Sequence, residues 1–318
     1  MRILISLCLM LAACGSSDEP RSAPSAPKIV VDQFGYLPEL EKRAVIRNPE
    51  QGYDSHEHFQ PGSQYAVIDT RSDQTVYQGQ PQQWNSGQVD TISGDRVWWF
   101  DFSSVTKPGR YIVRDVERRV DSFEFEISDR VYTPVLKAAF KTFYLQRAGF
   151  EKREPYAPQG FSDGASHIGP RQDRQATLHS RKKDHSTARD LSGGWYDAGD
   201  YNKYTNWTAN YIISLLHAYE ENPSVWTDDF GIPESGNGLP DILDEIKWGL
   251  DWLSKMQNRD GSVLSIVGLD GGSPPSSANG PSHYGPANTS ATLTSAGCLL
   301  YTSPSPRDRT RSRMPSSA

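Results

Sequence analysis

The chain has 318 residues, of which 36% are hydrophobic, 11% aromatic and 23% charged. That is the composition of folded protein, at a length suited to about two domains. A formal net charge of -6 argues against a nucleic-acid partner, which calls for a basic face that displaces counterions. Eight Trp and 15 Tyr suit a sugar cleft, and equally an ordinary core.

Residues 1–14 place one Arg before a short apolar run and then small residues. This reads as a secretory signal, too short to span a bilayer. Its end, Leu11-Ala12-Ala13-Cys14, resembles a bacterial lipobox, in which Cys14 is lipidated and becomes the mature N-terminus. An ordinary signal with an incidental Cys is the alternative. Gly15 follows Cys14 where an Asp often marks retention in the inner membrane, so an outer-membrane anchor is expected. Residues 15–27, rich in Ser, Pro, Gly and Ala, form a flexible linker.

Residues 28–128 read as short strands broken by turns: 28–32, 43–47, 64–69, 75–77, 96–102, 111–113 and 123–127. Phe123-Glu-Phe-Glu-Ile127 alternates, so one face is buried and the other wet. About seven strands over about a hundred residues point to an immunoglobulin-like β-sandwich. Trp84, Trp98 and Trp99 are read as core or interface residues, with a sugar platform as the alternative.

A helical domain begins near residue 130. Thr133-Pro134 opens a helix through Phe140 and Tyr144, and Gly149 stops it. A polar stretch follows over 150–194, and unstructured segments of that length are usually functional. Apolar spacing predicts a second helix over 206–220, through Trp207, Tyr211, Ile212, Leu215 and Tyr219. A third spans 241–257, with Asp241, Asp244 and Glu245 in its first turn and Lys255 in its last.

The chemistry concentrates in Gly193-Gly-Trp-Tyr-Asp-Ala-Gly-Asp-Tyr-Asn-Lys-Tyr204. Asp197 and Asp200 are separated only by Ala and Gly, which allow a tight turn. Two carboxylates so placed can hold one water, one taking its proton and the other orienting it. The plainer reading is a helix cap or an Asx turn.

The segment closely resembles the signature of glycoside hydrolase family 9, the inverting cellulases. The resemblance continues through Ile232-Pro-Glu-Ser-Gly-Asn-Gly-Leu-Pro-Asp-Ile-Leu-Asp-Glu245, Trp248-Gly-Leu-Asp-Trp-Leu-Ser-Lys-Met-Gln257, Asp260-Gly-Ser262 and, upstream, Phe143-Tyr-Leu-Gln-Arg-Ala-Gly149. Val30-Val-Asp-Gln-Phe-Gly-Tyr36 is similar to the start of the immunoglobulin-like domain that often precedes these enzymes. The resemblance implies an all-α (α/α)6 barrel, of which residues 130–297 supply only the first part. It implies hydrolysis of β-1,4-glucan, in cellulose or a related β-glucan, with inversion. It makes Asp200 the general base and Asp197 its partner on the water. Tyr204 and Trp195, on the same motif, are the candidate substrate-binding rings, with packing the alternative for Tyr204.

Two departures matter. The family's general acid is a Glu near the far end of the barrel, and no residue here matches it. Glu234 and Glu245 belong to helix-start motifs and are read as structural. The chain as written is therefore expected to be inactive, with apolar helix faces exposed. Many relatives bind zinc through two Cys and two His. The matching positions here are Ala148, Ser166 and His167, so zinc is not expected. No cofactor is expected, and calcium is left open.

From Cys298 onward the residues show no helical or strand period, and four Arg interrupt an acidic chain. Cys298 to Asp308 back-translates to a string resembling a transposase-type short-read sequencing adapter. Residues 298–318 are therefore expected to be a non-native tail, with a genuine basic tail as the alternative. The three Cys fall at positions 8, 14 and 298, so no disulfide framework is expected. The expected partner is a β-glucan, with no nucleic acid and with the membrane reached only through the anchor. The alternatives are another β-glycan in the same family, or a non-catalytic glycan-binding lipoprotein.

Overall fold

The computed structural model describes residues 26–269 and 280–302. Cys14, most of the linker, and the tail beyond residue 302 lie outside the described residues. The chain divides into two compact units between Tyr132 and Thr133.

The first unit is built of β1 (Ile29–Val30), β2 (Arg43–Pro49), β3 (Tyr65–Asp69), β4 (Gln74–Gly79), β5 (Gln82–Gln83), β6 (Asp95–Asp101), β7 (Gly109–Asp115), β8 (Val120–Asp121) and β9 (Phe125–Ile127). One sheet runs β1-β2-β6-β5 and the other β4-β3-β7-β8, with β9 also pairing β7. Period-two burial sets the register: Ala44 and Ile46 face inward on β2, Phe125 and Ile127 on β9. Ile46 and Phe100 from one sheet join Val67, Tyr111 and Val113 from the other in a single core, which is the expected sandwich. Trp98 packs against that core. Trp99 does not: it is exposed, with the Arg43 guanidinium 4.5 Å from its ring centre.

The second unit contains α1 (Thr133–Gln146), β10 (Thr177–Leu178), β11 (Lys203–Tyr204), α2 (Thr205–Glu221), α3 (Asp241–Met256), β12 (Ile266–Leu269), β13 (Ser282–Tyr284) and α4 (Thr289–Thr302). α2 packs on both α3 and α4, and α1 packs on α3. The unit is not purely helical. β10-β13-β12-β11 form a small sheet that the all-α expectation missed. The stretch 150–194 is likewise ordered into short 3-10 turns and bridges, tied by backbone bonds such as the Ala176–Arg189 pair.

α4 crosses the position of Gly297 and corrects the expectation that no helical period continues from Cys298. The helix continues to Thr302, and Cys298 is fully buried in the core. Ala291, Ser295 and Cys298 recur at helical spacing along its inner side, all buried. Leu293 and Leu300 on the same helix are exposed.

A buried ion network fixes how α1 meets α3. Arg147, just past α1, lies with its guanidinium over the Tyr144 and Trp248 rings. It donates to Glu245 at 2.8–3.1 Å and to Glu234 at 2.9–3.1 Å. Glu245 is thus spent on a structural pair, rather than serving as an exposed acid beside the helix dipole.

Candidate active site

The Gly193–Tyr204 loop is fastened at both ends. Ala148 N donates to Gly194 O and Tyr196 N to Gln146 O, both at 2.9 Å, so the entry is zipped to the end of α1. Gly194 must be glycine: its φ is 76, and a Cβ would meet the Trp252 ring at 2.7 Å. At the exit, the buried Lys203 donates to Asp173 at 2.5 Å, to Gly193 O at 2.7 Å and to Leu191 O at 3.1 Å. Asp173 in turn accepts from Ser282 of β13 at 2.6 Å.

Between these anchors the chain turns back on itself, with Asp197 N donating to Asn202 O at 2.9 Å and Tyr201 at φ 56. That turn presents Asp197 half-buried and Asp200 exposed. Asp200 accepts from Asn202 N at 3.2 Å and Asn202 Nδ2 at 2.7 Å, with the Tyr204 hydroxyl at 3.5 Å. The first contact is the Asx-turn geometry of the plainer reading. The cap reading does not hold, because α2 starts after Tyr204 with no side-chain cap. Asp197 accepts from the Tyr211 hydroxyl at 3.4 Å. Burial, with the neighbouring Asp200 charge adding to it and Tyr211 opposing, holds the Asp197 carboxyl above its ordinary range.

Trp195 corrects its assignment as a substrate ring. It is 2% exposed, its Nε1 donates to Glu245 at 2.7 Å, and its six-membered ring packs where a side chain on Gly249 would otherwise lie. Loop fastening leaves it no face for a ligand. Tyr204 is half-buried beside Asp200, and its ring centre lies 4.6 Å from that of Trp207.

Trp207 and Tyr211 are the site residues that sequence reasoning missed, having been read as part of the apolar face of α2. The buried stripe is in fact Thr205, Thr208, Ala209, Ile212 and Leu215. Trp207 falls off it and is 42% exposed. The usable signal was this: two aromatics four apart, just after Asp200, on the flank of a complete stripe.

Glu234 and Glu245 both serve Arg147, as the structural reading expected. The three positions read against zinc are held differently. Ala148 and His167 line a cavity of about 510 Å³ that Asp197 and Asp200 do not line. Ser166 hydrogen-bonds the Tyr196 hydroxyl, which lies 3.2 Å from His167 Nδ1. A single imidazole with an alanine and a hydroxyl does not make a zinc donor set, and among the described residues no three His, Cys, Asp or Glu side chains are grouped to hold a metal.

The profile of glycosyl hydrolase family 9 matches residues 132–296. The chain belongs to glycosyl hydrolase family 9. The cellulase N-terminal ig-like domain profile matches residues 24–117, over most of the sandwich. Family 9 relatives include a xyloglucan-specific endo-beta-1,4-glucanase of Bacteroides ovatus, 33% identical over 74% of this chain and 37% of that protein. A cellodextrinase of Butyrivibrio fibrisolvens is 31% identical over 76% of this chain and 40% of that one. The crystal structure of a metagenome-derived family 9 endoglucanase superposes with a TM-score of 0.70 at 31% identity, covering 90% of this chain and 50% of that one. The chain thus spans half or less of the length of these relatives.

Proposed function

We propose that Asp200 and Asp197 form the water-activating half of an inverting β-1,4-glucan hydrolase. Asp200 is the general base and Asp197 the partner that holds the water. The observation that carries this is the single anchored turn, which presents both carboxylates with few donors and beside the Tyr204–Trp207 pair. Tyr204, its hydroxyl 3.5 Å from Asp200, and its neighbour Trp207 offer aromatic faces on which a glucan ring can stack beside that turn.

Inversion also needs a protonated carboxyl about 6.5–9.5 Å from the base. Glu234 and Glu245 are committed to Arg147, so no described residue is assigned that role. This chain by itself is expected to bind β-1,4-gluco-oligosaccharides without turning them over. Measurable turnover by the chain alone would overturn that assignment. The substrate reading rests on what the named relatives share, a β-1,4-linked glucose backbone. We also propose that Cys14 carries a lipid anchoring the protein to the outer membrane.

The test of mechanism uses the protein extended to the length of its family 9 relatives. Proton NMR of the first product formed from a β-1,4-gluco-oligosaccharide is expected to show the α-anomer. The β-anomer as first product would mean a nucleophilic carboxylate and a different mechanism.

A further inference from the structure

Away from Asp197 and Asp200, this acidic chain gathers positive charge in one short stretch. Between Arg171 and His185 it carries Arg171, Arg174, Arg181, Lys182 and Lys183 against Asp173 and Asp184. Both carboxylates are committed: Asp173 to Lys203 and Ser282, Asp184 to Arg181 and Ser186. A cavity of about 500 Å³ opens here, and its described lining is Arg171, Thr177, Lys182, Lys183, His185, Pro281 and His283, with no carboxylate among these described residues.

Its inner wall is built by the small sheet. β10 and β13 pair in parallel and set Thr177 opposite His283, both side chains nearly buried. The Thr177 hydroxyl donates to Lys182 O at 3.0 Å. The 2.9 Å contact between Thr177 and His283 Nδ1 therefore has the imidazole as donor. Arg171 sits at φ 61, a left-handed backbone that costs a non-glycine residue energy. Two hydrogen bonds keep it there, Arg171 N to Gln175 Oε1 at 3.1 Å and Ser282 N to Arg171 O at 2.9 Å.

We propose that this cavity is a subsite for a carboxylate-bearing sugar, such as a uronic acid branch on a polysaccharide. Arg171 and Lys183 bring positive charge to the described walls, which concentrates an anion, and guanidinium and ammonium groups bind a carboxylate with charge-assisted hydrogen bonds. The volume lies in the range of small-molecule sites and is more than an inorganic phosphate fills, so a sugar ring enters with its charge. β10 stands three strands from β11, about 14 Å at the usual strand spacing. A glycan lying along the sheet presents a branch here while its backbone lies at Asp200. The binding site itself stands whether or not Asp200 is the base.

The test is calorimetric titration of the chain with D-glucuronate, D-glucose and inorganic phosphate. Glucuronate is expected to bind more tightly than either of the others, and more weakly as salt is added. Arg171→Gly relieves the left-handed backbone and so keeps the fold, and Lys183→Gln changes an exposed side chain. Each is expected to weaken glucuronate binding about tenfold with an unchanged melting transition. No glucuronate binding, phosphate binding as tight as glucuronate, or wild-type affinity in both variants would each overturn the proposal.

Discussion

Asp115 of the sandwich and Asp200 of the helical unit both sit at turns, and their surroundings diverge. Asp115 is fully buried and accepts from Gly62 N at 2.7 Å, the Tyr65 hydroxyl at 2.9 Å, Arg118 N at 2.9 Å and Glu117 N at 3.1 Å. Asp200 is exposed, and its contacts come from Asn202 and, at 3.5 Å, Tyr204. A carboxylate saturated with donors has its lone pairs spent. One held by a single neighbour keeps capacity for a water. Glu245 repeats the Asp115 pattern inside the helical unit, bound by Arg147 and Trp195. Donor saturation therefore separates the structural carboxylates from the pair proposed to be reactive, better than sequence position does.

The largest stability effect should fall on the saturated side. Glu245→Ala leaves Arg147 buried without its main partner, and is expected to cost about 3–5 kcal/mol. Denaturant unfolding of the helical unit measures this; a loss below 1 kcal/mol would put Glu245 with the surface acids instead.

His167 gives a loss of similar size through pH. Burial pushes its imidazole down to about 4, against about 6.5 when unfolded. Its contribution is complete above about pH 6.5 and is lost as pH falls toward 4, about 3 kcal/mol in all. His167→Asn, which tolerates the φ of 57 at this position, is expected to flatten that acid limb in melts taken across the range. An unchanged slope would assign the limb to another group.

Asp115→Ala strands the Gly62 N–H and the Tyr65 hydroxyl, and is expected to cost the sandwich about 1–3 kcal/mol. Thermal unfolding of the first unit reads it. Trp207→Ala belongs to the open side and should shift stability by less than about 0.5 kcal/mol. It should nonetheless weaken β-1,4-gluco-oligosaccharide binding several-fold, about 1 kcal/mol. If stability falls instead and binding holds, Trp207 is packing.

Much of the fold was readable because burial leaves a period. Strands β1, β2, β3, β4, β6, β7 and β9 were legible as short runs broken by turn signals, β9 also from its alternation, and α1, α2 and α3 from helical spacing. β5 was not, since Gln82 and Gln83 join the sheet by backbone pairing to Trp99 and Trp98 alone. β10 to β13 are too short to alternate, and their order comes from contacts as distant as Thr177 with His283. That Asp197 and Asp200 share one tight turn was legible because turn chemistry is local, whereas their roles as base and partner came only from the family resemblance. Trp195 was misjudged because its burial depends on Gly249 and Glu245, far along the chain. α4 ran past Gly297 because the spacing that buries Cys298 shows only once Ala291 and Ser295 are known to face inward.

Asp200 as the base is the centre of the proposed mechanism. The direct measurement is turnover of a β-1,4-gluco-oligosaccharide by the protein extended to the length of its relatives, compared with its Asp200→Asn variant. The amide keeps the shape and the Asn202 contact but cannot take a proton. A loss of about 10²–10⁴-fold in kcat, with oligosaccharide affinity little changed, is predicted. Near-normal kcat in Asp200→Asn would contradict the account and move the base elsewhere, with Asp197 the first residue to try.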